Sequence, residues 1–316
     1  MRFLITGGAG FIGSALANRL ANDGHAVQVL DDLSNGDRDL LEPSIHFMRG
    51  DVNNIPRLWS MLQGVDCVYH LAARVSVAQS ILYPVDYNTA NVGGTVSLMQ
   101  AIRDAGVRRI VLTSSGAVYG RQERQPVQER DVPQPDSPYA VSKWAAEQYL
   151  HTIGSFAGIE TVALRIFNAY GPMQQLPVSH APVVPRFLQQ ALTGGSLVIF
   201  GDGSQTRDFI YVGDVVEALV KTATAPADQV NRQVLNIGSG VETSMDGLVG
   251  LVETATGRSV NRIYNRDKGG GVQRLVADIR LAQDRLDFQP RTSLLAGLKL
   301  ILEEDPRFLR FLAQRH

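Results

Sequence analysis

Tyr139 and Lys143 have side-chain types and a spacing that suit proton transfer. Residues four apart lie about one turn apart on one face of a helix, so the phenol and the ammonium would be neighbours. A tyrosine is a poor base because its ordinary pKa is about 10, but a nearby ammonium favours the phenolate and lowers that pKa. The pair therefore predicts a general base that works near neutral pH, although this spacing also arises by chance in unrelated helices.

A hydroxyl-rich turn supplies a second group for the same chemistry. A strand-like apolar run ends in Thr-Ser-Ser-Gly at 113–116. Ser115 at this point could hydrogen-bond a reacting hydroxyl and relay its proton. The alternative is that Ser114 and Ser115 only satisfy backbone groups of the turn. The predicted catalytic residues are Ser115, Tyr139 and Lys143.

Glycines near the start of the chain predict a phosphate-binding turn. Gly7, Gly10 and Gly13 follow a short apolar run and precede a helical pattern. A strand that passes through such a turn into a helix N-terminus binds a pyrophosphate. The next apolar run ends at Asp31, whose carboxylate would accept ribose hydroxyls and repel a 2′-phosphate. The sequence therefore predicts NAD rather than NADP; the alternative is a glycine turn without a cofactor.

The composition narrows the classes of partner. The chain has 316 residues, with 30 Lys and Arg against 31 Asp and Glu and a net charge of −1. No basic excess indicates a nucleic acid or an anionic membrane as a partner. The single cysteine, Cys67, lies in an apolar run and is expected to be a buried, inert thiol. No Cys/His cluster predicts a metal site, and without a signal peptide or a bilayer-length apolar run the protein is predicted to be cytoplasmic.

Strand-like and helix-like patterns alternate through the first half of the chain. The strand-like runs are 2–6, 26–31, 45–49, 66–71, 108–113 and 160–166, and the helical patterns are about 12–23, 55–62, 86–105 and 139–154. This alternation is typical of an α/β fold with a doubly wound parallel sheet of the Rossmann type.

Two regions of the chain are expected to differ in role. The predicted NAD-binding Rossmann domain comprises 1–168 and about 209–237. A smaller, mostly C-terminal lobe that binds the substrate comprises about 169–208 and 238–316, and the stretch 171–186 is expected to be a long ordered loop. Because ligands of open α/β sheets bind at the carboxyl ends of the strands, the predicted active site is the cleft between the two regions.

These motifs together resemble the extended short-chain dehydrogenase/reductases, and within them the nucleotide-sugar epimerases. The resemblance extends over most of residues 1–214 and is looser in the last 80 residues. The matching segments are TGGAGFIG at 6–13, DDLSNG at 31–36, GDV at 50–52, HLAA at 70–73, SSGAVYG at 114–120, Tyr139 with Lys143, LRIFNAYGP at 164–172 and GDGSQTRDFIY at 201–211.

The resemblance implies roles for individual positions. Asp31 and Asn35 would hold the adenosine ribose, Ser76 would face the sugar, and Asn168 and Arg207 would grip the diphosphate of a nucleotide sugar. The implied cofactor-binding residues are Gly7, Gly10, Phe11, Ile12, Gly13, Asp31, Asn35, Asp51, Val52, Leu71, Ala73, Tyr139 and Lys143. The implied substrate-binding residues are Ser76, Ser115, Asn168, Arg207, Lys268 and Arg274.

The chain departs from relatives at positions that bear on the substrate. Relatives carry a second diphosphate arginine where this chain has Lys268, and Lys268, Arg266 and Arg274 stay open for that role. Gly116 and Ala117 stand where dehydratases and decarboxylases of the family have acidic residues.

Met173 and Gln175 stand where glucuronate epimerases tend to have arginines. The resemblance therefore implies an NAD-dependent 4-epimerase of a neutral UDP-hexose such as UDP-glucose, UDP-galactose or UDP-N-acetylglucosamine. The alternatives are a dehydratase, a decarboxylase or a uronate epimerase of the same family, or a non-catalytic NAD-binding module.

The family resemblance also implies a homodimer. The helical stretches 86–105 and 139–154 carry more apolar residues than one face of the sheet can bury, and relatives pair these helices with their copies about a twofold axis. The alternative is that these side chains pack inward on the sheet. The residues in question are Val92, Val96, Leu98, Met99, Trp144, Tyr149 and Leu150.

Overall fold

The computed structural model describes residues 1–177, 181–267 and 271–313. The strands are β1 (Arg2–Thr6), β2 (Ala26–Asp31), β3 (His46–Arg49), β4 (Cys67–His70), β5 (Arg109–Ser115), β6 (Glu160–Ile166), β7 (Asn168–Tyr170), β8 (Leu197–Phe200), β9 (Thr206–Tyr211), β10 (Gln233–Ile237), β11 (Glu242–Ser244), β12 (Arg262–Asn265) and β13 (Arg274–Leu275).

The α-helices are α1 (Phe11–Asn22), α2 (Ile55–Met61), α3 (Val77–Leu82), α4 (Pro84–Tyr87), α5 (Gly94–Ala105), α6 (Pro138–Ala157), α7 (Val183–Thr193), α8 (Val212–Thr224), α9 (Ala227–Val230), α10 (Met245–Thr256), α11 (Arg280–Leu286), α12 (Leu294–Glu304) and α13 (Pro306–Ala313). Short 3₁₀ turns cover Arg38–Leu40 and Gly116–Tyr119, and a π-helical segment covers Asn88–Gly93. Within the described residues, no helix combines the length and the apolar character that crossing a bilayer requires.

The main sheet has seven parallel strands in the order β10-β6-β5-β4-β1-β2-β3. Strand β1, in the interior of this sheet, is apolar on both faces: Phe3 and Ile5 pack into one core cluster, and Leu4 packs into the other. Such strands need helices on both sides, and α1 and α8 supply one layer while α2, α5 and α6 supply the other. The doubly wound Rossmann fold predicted from the sequence is thereby confirmed.

The order of the strands also predicts where a ligand-binding crevice lies. The chain runs outward from β1 through β2 to β3 and then returns to β4 on the other side of β1. Between β1 and β4 the connections diverge to opposite faces of the sheet, and ligands bind at such a switch point outside the carboxyl ends of the strands. The site is therefore expected around the ends of β1, β2, β4 and β5.

A smaller lobe lies beyond these strand ends. Strand β9 is its centre and pairs with β7, β11 and β13, while β8 and β12 form a separate parallel pair. Helices α7, α10, α12 and α13 share one apolar cluster with β8 and β9. The division differs from the expected one at 280–288, because Ala282, Leu286 and Phe288 pack into the core of the main sheet instead.

In two stretches the local structure differs from the one that the sequence predicts. The helical pattern 86–105 is divided into α4, the π-helical segment and α5. The stretch 171–186, which was expected to be a loop, contains the first residues of α7. The predicted strands agree with β1 to β6 to within about two residues, because strands buried on both faces of a parallel sheet leave continuous apolar runs.

Candidate active site

A cavity of about 790 Å³ lies at the carboxyl ends of the central strands. Its size is within the usual range of about 300–1,000 Å³ for ligand pockets. It extends from the end of β2 past the glycine turn to the first turns of α6 and the start of α7. Every residue predicted to bind the cofactor lines it, namely Gly7, Gly10, Phe11, Ile12, Gly13, Asp31, Asn35, Asp51, Val52, Leu71, Ala73, Tyr139 and Lys143.

The turn after β1 has no room for larger side chains. Gly7 adopts a φ of +71°, and a Cβ on Gly13 would lie 2.2 Å from the carbonyl oxygen of Gly7. Helix α1 follows with Gly10 at its N-cap and without a side chain that caps its first N–H groups. Those N–H groups and the helix dipole suit a phosphate, so the turn fits the pyrophosphate of a dinucleotide.

Asp31 is fixed where a ribose of the dinucleotide would lie. Its carboxylate accepts hydrogen bonds from the backbone N–H groups of Ala9, at 3.0 Å, and Leu33, at 2.9 Å. Burial raises the pKa of Asp31, and these two hydrogen bonds oppose that rise. A carboxylate held at this edge of the cavity can accept ribose hydroxyls and disfavours a phosphate on the same ribose, which fits NAD.

Helix α6 presents the predicted base at the start of its first turn. Ser137 caps the helix by accepting a hydrogen bond from the N–H of Ala140, and Pro138 is the first helical residue. Tyr139 and Lys143 follow one turn apart, and both line the cavity. The Lys143 ammonium donates to the carbonyl oxygen of Thr113 at 2.8 Å, which ties the helix to the end of β5.

Ser115 reaches the same point from the sheet. It is the last residue of β5, and its hydroxyl accepts a hydrogen bond from the N–H of Ala117 at 3.1 Å. The Ser115 side chain also lowers the pKa of Tyr139, and both side chains line the cavity. The predicted catalytic residues Ser115, Tyr139 and Lys143 therefore lie together, although Ser115 also has the turn-stabilising role that the sequence left open.

Burial dominates the titration of the tyrosine and the lysine. It raises the pKa of Tyr139, and the side chain of Ser115 only partly opposes this. It also lowers the pKa of Lys143 to about 8. The lowered pKa expected for Tyr139 is therefore not found in the polypeptide by itself, because removal from water disfavours the phenolate and the ammonium alike.

The π-helical segment fixes the loop after β4. Its buried Asn91 accepts from the N–H of Arg74 at 2.8 Å and donates to the carbonyl of Arg74 at 3.0 Å. The same amide donates to the hydroxyl of Ser142, which lies between Tyr139 and Lys143 on α6. Ser76, predicted to face the sugar, lines the cavity and caps α3.

The small lobe supplies the predicted diphosphate-binding groups. Asn168 lines the cavity and pairs in register with Phe209, which also lines it. Arg207 precedes Phe209 by two residues on β9, and since side chains two apart in a strand point to the same face, its side chain lies on that face too. Its guanidinium donates to the carbonyls of Thr206 and Val272, at 2.7 and 2.6 Å.

Arg274 lies on the other face of this sheet. It pairs in register with Thr206, the neighbour of Arg207, and forms an ion pair with Glu242 at 2.6 Å. The structure therefore does not bring Arg274 together with Arg207 and Asn168. Lys268 lies outside the described residues, and Arg207 and Arg274 are not among the described residues that line the cavity.

Several lining residues were not singled out from the sequence. Asp32 and Ser34 lie beside Asp31, and Arg74 and Val75 lie in the loop that Asn91 fixes. Their nearness to Asp31 and Ser76 in the chain was a signal that could have identified them. Gln174, Pro177, Pro182 and Val184 come from the region before and within α7, and no local pattern pointed to these.

The fold and the site define a dinucleotide-binding α/β protein with a tyrosine–lysine pair beside its cofactor cleft. The chain belongs to the NAD dependent epimerase/dehydratase family, whose model matches residues 3–238. It is 38% identical to a UDP-glucose 4-epimerase of Mycolicibacterium smegmatis, over 96% of this chain and 98% of that protein.

Solved structures are similar over nearly the whole chain. A UDP-glucose 4-epimerase of Thermotoga maritima with UDP-glucose matches with a TM-score of 0.92 and 33% identity, covering 99% of this chain and 100% of that one. A UDP-glucose 4-epimerase of Thermus thermophilus in complex with NAD matches with a TM-score of 0.87 and 31% identity, covering 96% of this chain and 98% of that one. These findings confirm the resemblance seen in the sequence.

Proposed function

We propose that this NAD-dependent nucleotide-sugar epimerase inverts C4 of a UDP-hexose. The observation that supports this best is the meeting of Ser115, Tyr139 and Lys143 in the cavity that also contains the glycine turn and Asp31. NAD as the cofactor is confirmed by the family and by the similar enzyme with NAD bound. When bound, NAD supplies reversible hydride transfer at the sugar carbon.

Residues of the chain carry out the proton transfer. Tyr139 as phenolate accepts the proton of the sugar 4-OH, and Ser115 hydrogen-bonds that hydroxyl and relays the proton. The sugar becomes a 4-keto intermediate, rotates, and regains its hydrogen on the opposite face. Lys143 stabilises the phenolate and binds the nicotinamide ribose. Turnover needs Tyr139 ionised while Lys143 is protonated. Because the pKa of Lys143 lies below that of Tyr139, the rate should rise with pH up to the pKa of Lys143, level off, and fall above the pKa of Tyr139.

The substrate is held by its nucleotide end. Asn168 and Arg207 share a strand face beside the cavity and contribute an amide and a guanidinium, and guanidinium groups pair well with phosphate oxygens. Burial lowers the pKa of Arg207, so contact with an anion would offset the cost of keeping it charged. Firm binding of the diphosphate leaves the sugar loose enough to rotate.

A neutral hexose suits the sugar end better than a uronate. Gln175 lines the cavity where relatives that act on glucuronate tend to have a cation. The backbone N–H of Met173 donates to Asp305 at 2.8 Å, which fixes the stretch that carries both residues. Gly116 and Ala117 supply no acid for the elimination of water that a dehydratase requires.

Product analysis tests the proposed reaction. Purified protein is incubated separately with UDP-glucose, UDP-N-acetylglucosamine and UDP-glucuronate, and the products are identified by NMR. A C4 epimer of a neutral sugar without net formation of NADH is the expected result. A 4-keto-6-deoxy sugar or released carbon dioxide would contradict the epimerase, and a clear preference for UDP-glucuronate would contradict the argument from Met173 and Gln175.

We further propose a homodimer through an exposed apolar face. Helices α3 and α4 pack against α6, and together they expose Ile81, Leu82, Tyr83, Val85, Val141, Tyr149 and Phe156. The sequence attributed the interface in part to the wrong residues, because Leu98, Met99 and Leu150 are fully buried in the core and Trp144 packs against a core cluster. A twofold axis would cover the exposed face with its own copy.

A further inference from the structure

A buried ion pair lies directly behind the catalytic pair. Arg165 on β6 donates to both carboxylate oxygens of Glu147 on α6, at 3.0 and 2.8 Å. The side chains are only 4% and 0% exposed. Taking two charges out of water costs free energy that their attraction offsets only when the geometry is good and the remaining polar atoms are satisfied. Stability alone therefore does not explain why this ion pair lies beside the site.

The ion pair is connected to β5 and α6, the two elements that carry Ser115, Tyr139 and Lys143. The hydroxyl of Ser114, the residue before Ser115, donates to the Glu147 carboxylate. On α6, Glu147 follows Lys143 by four residues and Tyr139 by eight, so the three side chains lie along one helix face. Glu147 thus adds a second connection, beside the hydrogen bond from Lys143 to Thr113, between the end of β5 and the face of α6 that enters the cavity.

The carboxylate of Glu147 acts electrostatically on the buried ammonium. Burial lowers the pKa of Lys143, and the charge of Glu147 raises it. Among the described residues, the other ionisable groups that interact with Lys143, Tyr139 or Glu147 are His70 on β4, Tyr87 on α4, His151 on α6 and Arg165 on β6. Burial lowers the pKa of His70 to about 3 and raises that of Tyr87, so both are neutral at pH 7.

We propose that Glu147 is a positioning residue that keeps Lys143 in its ammonium form and holds the Ser115 end of β5 against α6. Arg165 has the supporting role: its two hydrogen bonds pair the Glu147 carboxylate with an opposite charge and fix its orientation. The importance of this arrangement for turnover rests on the proposed epimerase function, but the effect on the charge of Lys143 does not.

Two substitutions separate this role from general stability, because they remove ion pairs at opposite ends of β5 and β6. Glu147→Gln removes the carboxylate and leaves Arg165 without its counter-ion, and both changes favour the uncharged amine of Lys143. Glu160→Gln is the matched control, because Glu160 at the start of β6 forms an ion pair with Arg109 at the start of β5, at 2.6 Å. Arg109 keeps its hydrogen bonds to backbone carbonyls at the end of α8 and just after it.

The charge of Lys143 can be measured directly by NMR. The chain contains four lysines, Lys143, Lys221, Lys268 and Lys299, so protein with ¹³Cε-labelled lysine gives few signals, and Lys143→Arg identifies the one of interest. Titration should show that Glu147→Gln lowers the pKa of Lys143 by about one or more, a tenfold change in the ratio of amine to ammonium. Glu160→Gln should leave that pKa unchanged.

The pH dependence of turnover gives the second readout. Because the pKa of Lys143 lies below that of Tyr139, Lys143 sets the pH at which the rate stops rising. That pH should fall in Glu147→Gln by the same interval as in the NMR titration, and it should stay in place in Glu160→Gln. Should Glu147→Gln fail to fold, Glu147→Gln with Arg165→Met removes the carboxylate without stranding a buried cation. A smaller fall in the Lys143 pKa is then expected, because only the loss of the carboxylate remains.

The outcomes distinguish this inference from the proposed function. A lowered Lys143 pKa in a protein that epimerises no UDP-sugar would support the role of Glu147 and contradict the epimerase. An active epimerase in which the Lys143 pKa is the same with and without the Glu147 carboxylate would overturn the inference. An equal fall in Glu160→Gln would also overturn it, because the effect would then be a general consequence of losing a buried ion pair.

Discussion

Tyr139 and Lys143 are both almost completely buried, and burial disfavours the charged form of each. Neither group alone would be ionised as readily as in water. The phenolate and the ammonium compensate each other only when both are charged and close together. The pair is therefore best regarded as one unit whose charge state depends on the side chain of Ser115 and on the carboxylate of Glu147.

Tyr139→Phe should reduce turnover by about 10²- to 10⁴-fold, the usual contribution of a general base. The change removes only the hydroxyl, so NAD binding and thermal unfolding should be close to wild type. Tyr69→Phe is the control, because the Tyr69 hydroxyl donates to the carbonyl of Leu219 at 2.9 Å inside the core. Tyr69→Phe should cost about 1 kcal/mol of stability and leave turnover intact. A Tyr139→Phe enzyme with the wild-type rate would exclude Tyr139 as the base.

Arg207→Met and Arg274→Met should have different effects on substrate binding. Loss of a charge-assisted hydrogen bond to phosphate costs about 1.5–3 kcal/mol, so Arg207→Met should raise KM for the UDP-sugar about tenfold or more. Arg274 lies on the opposite face of the small sheet with Glu242, and its loss should change KM little. Steady-state kinetics on both variants decides this, and the reverse ranking would show that the diphosphate lies on the face of Arg274.

The turn between β1 and α1 and the ends of β5 and α6 are the elements that form the site. In the turn, backbone atoms must approach a ligand closely, so the constraint is steric. At β5 and α6, side chains from two elements must meet, so the constraint is the packing of the helix on the sheet. Asn91 in the π-helical segment adds to this packing, because its hydrogen bonds join the loop after β4 to Ser142 on α6.

Gly13→Ala should weaken NAD binding strongly, because the added methyl group would lie 2.2 Å from the Gly7 carbonyl oxygen and the turn would have to move. Gly250→Ala in α10 is the control: its Cβ would meet nothing within 4 Å. A glycine in the middle of a helix destabilises it by about 0.5–1 kcal/mol relative to alanine, so this control should be slightly more stable. NAD titration and denaturant unfolding measure both effects, and undiminished NAD affinity in Gly13→Ala would contradict the tight turn.

In the whole molecule, the cavity and an exposed apolar face adjoin the same helix, α6. The cavity lies at the carboxyl ends of the strands, beneath the small lobe. The apolar face of α3, α4 and α6 lies on the helical layer beside it and includes Leu82, 70% exposed, and Val85, 74% exposed. Because α6 carries Tyr139 and Lys143 on one side and Val141 and Tyr149 on the other, self-association would also support the helix that presents the base.

Light scattering at micromolar concentration tests the dimer. Wild-type protein should have twice the chain mass of 34.4 kDa, and Leu82→Glu with Val85→Glu should shift it to the monomer, because burying carboxylates in an apolar interface is costly. Val132→Glu is a control at an equally exposed apolar residue outside α3, α4 and α6 and should remain dimeric. A wild-type mass near that of one chain would contradict the dimer.

Local patterns in the sequence were enough to predict six of the seven strands of the main sheet, β1 to β6, together with the glycine turn, Asp31 and the Tyr139–Lys143 pair. Each of these depends on spacing within a few residues, and the geometry of a strand, a turn or one helical turn fixes what such spacing means. Other properties depended on segments distant in the chain: the opposite faces of Arg207 and Arg274, the Glu147–Arg165 pair, the inward packing of Leu98 and Met99, and the pKa of Tyr139. Burial and charge pairing decide these, and both arise only when the sheet, its helices and the small lobe pack together.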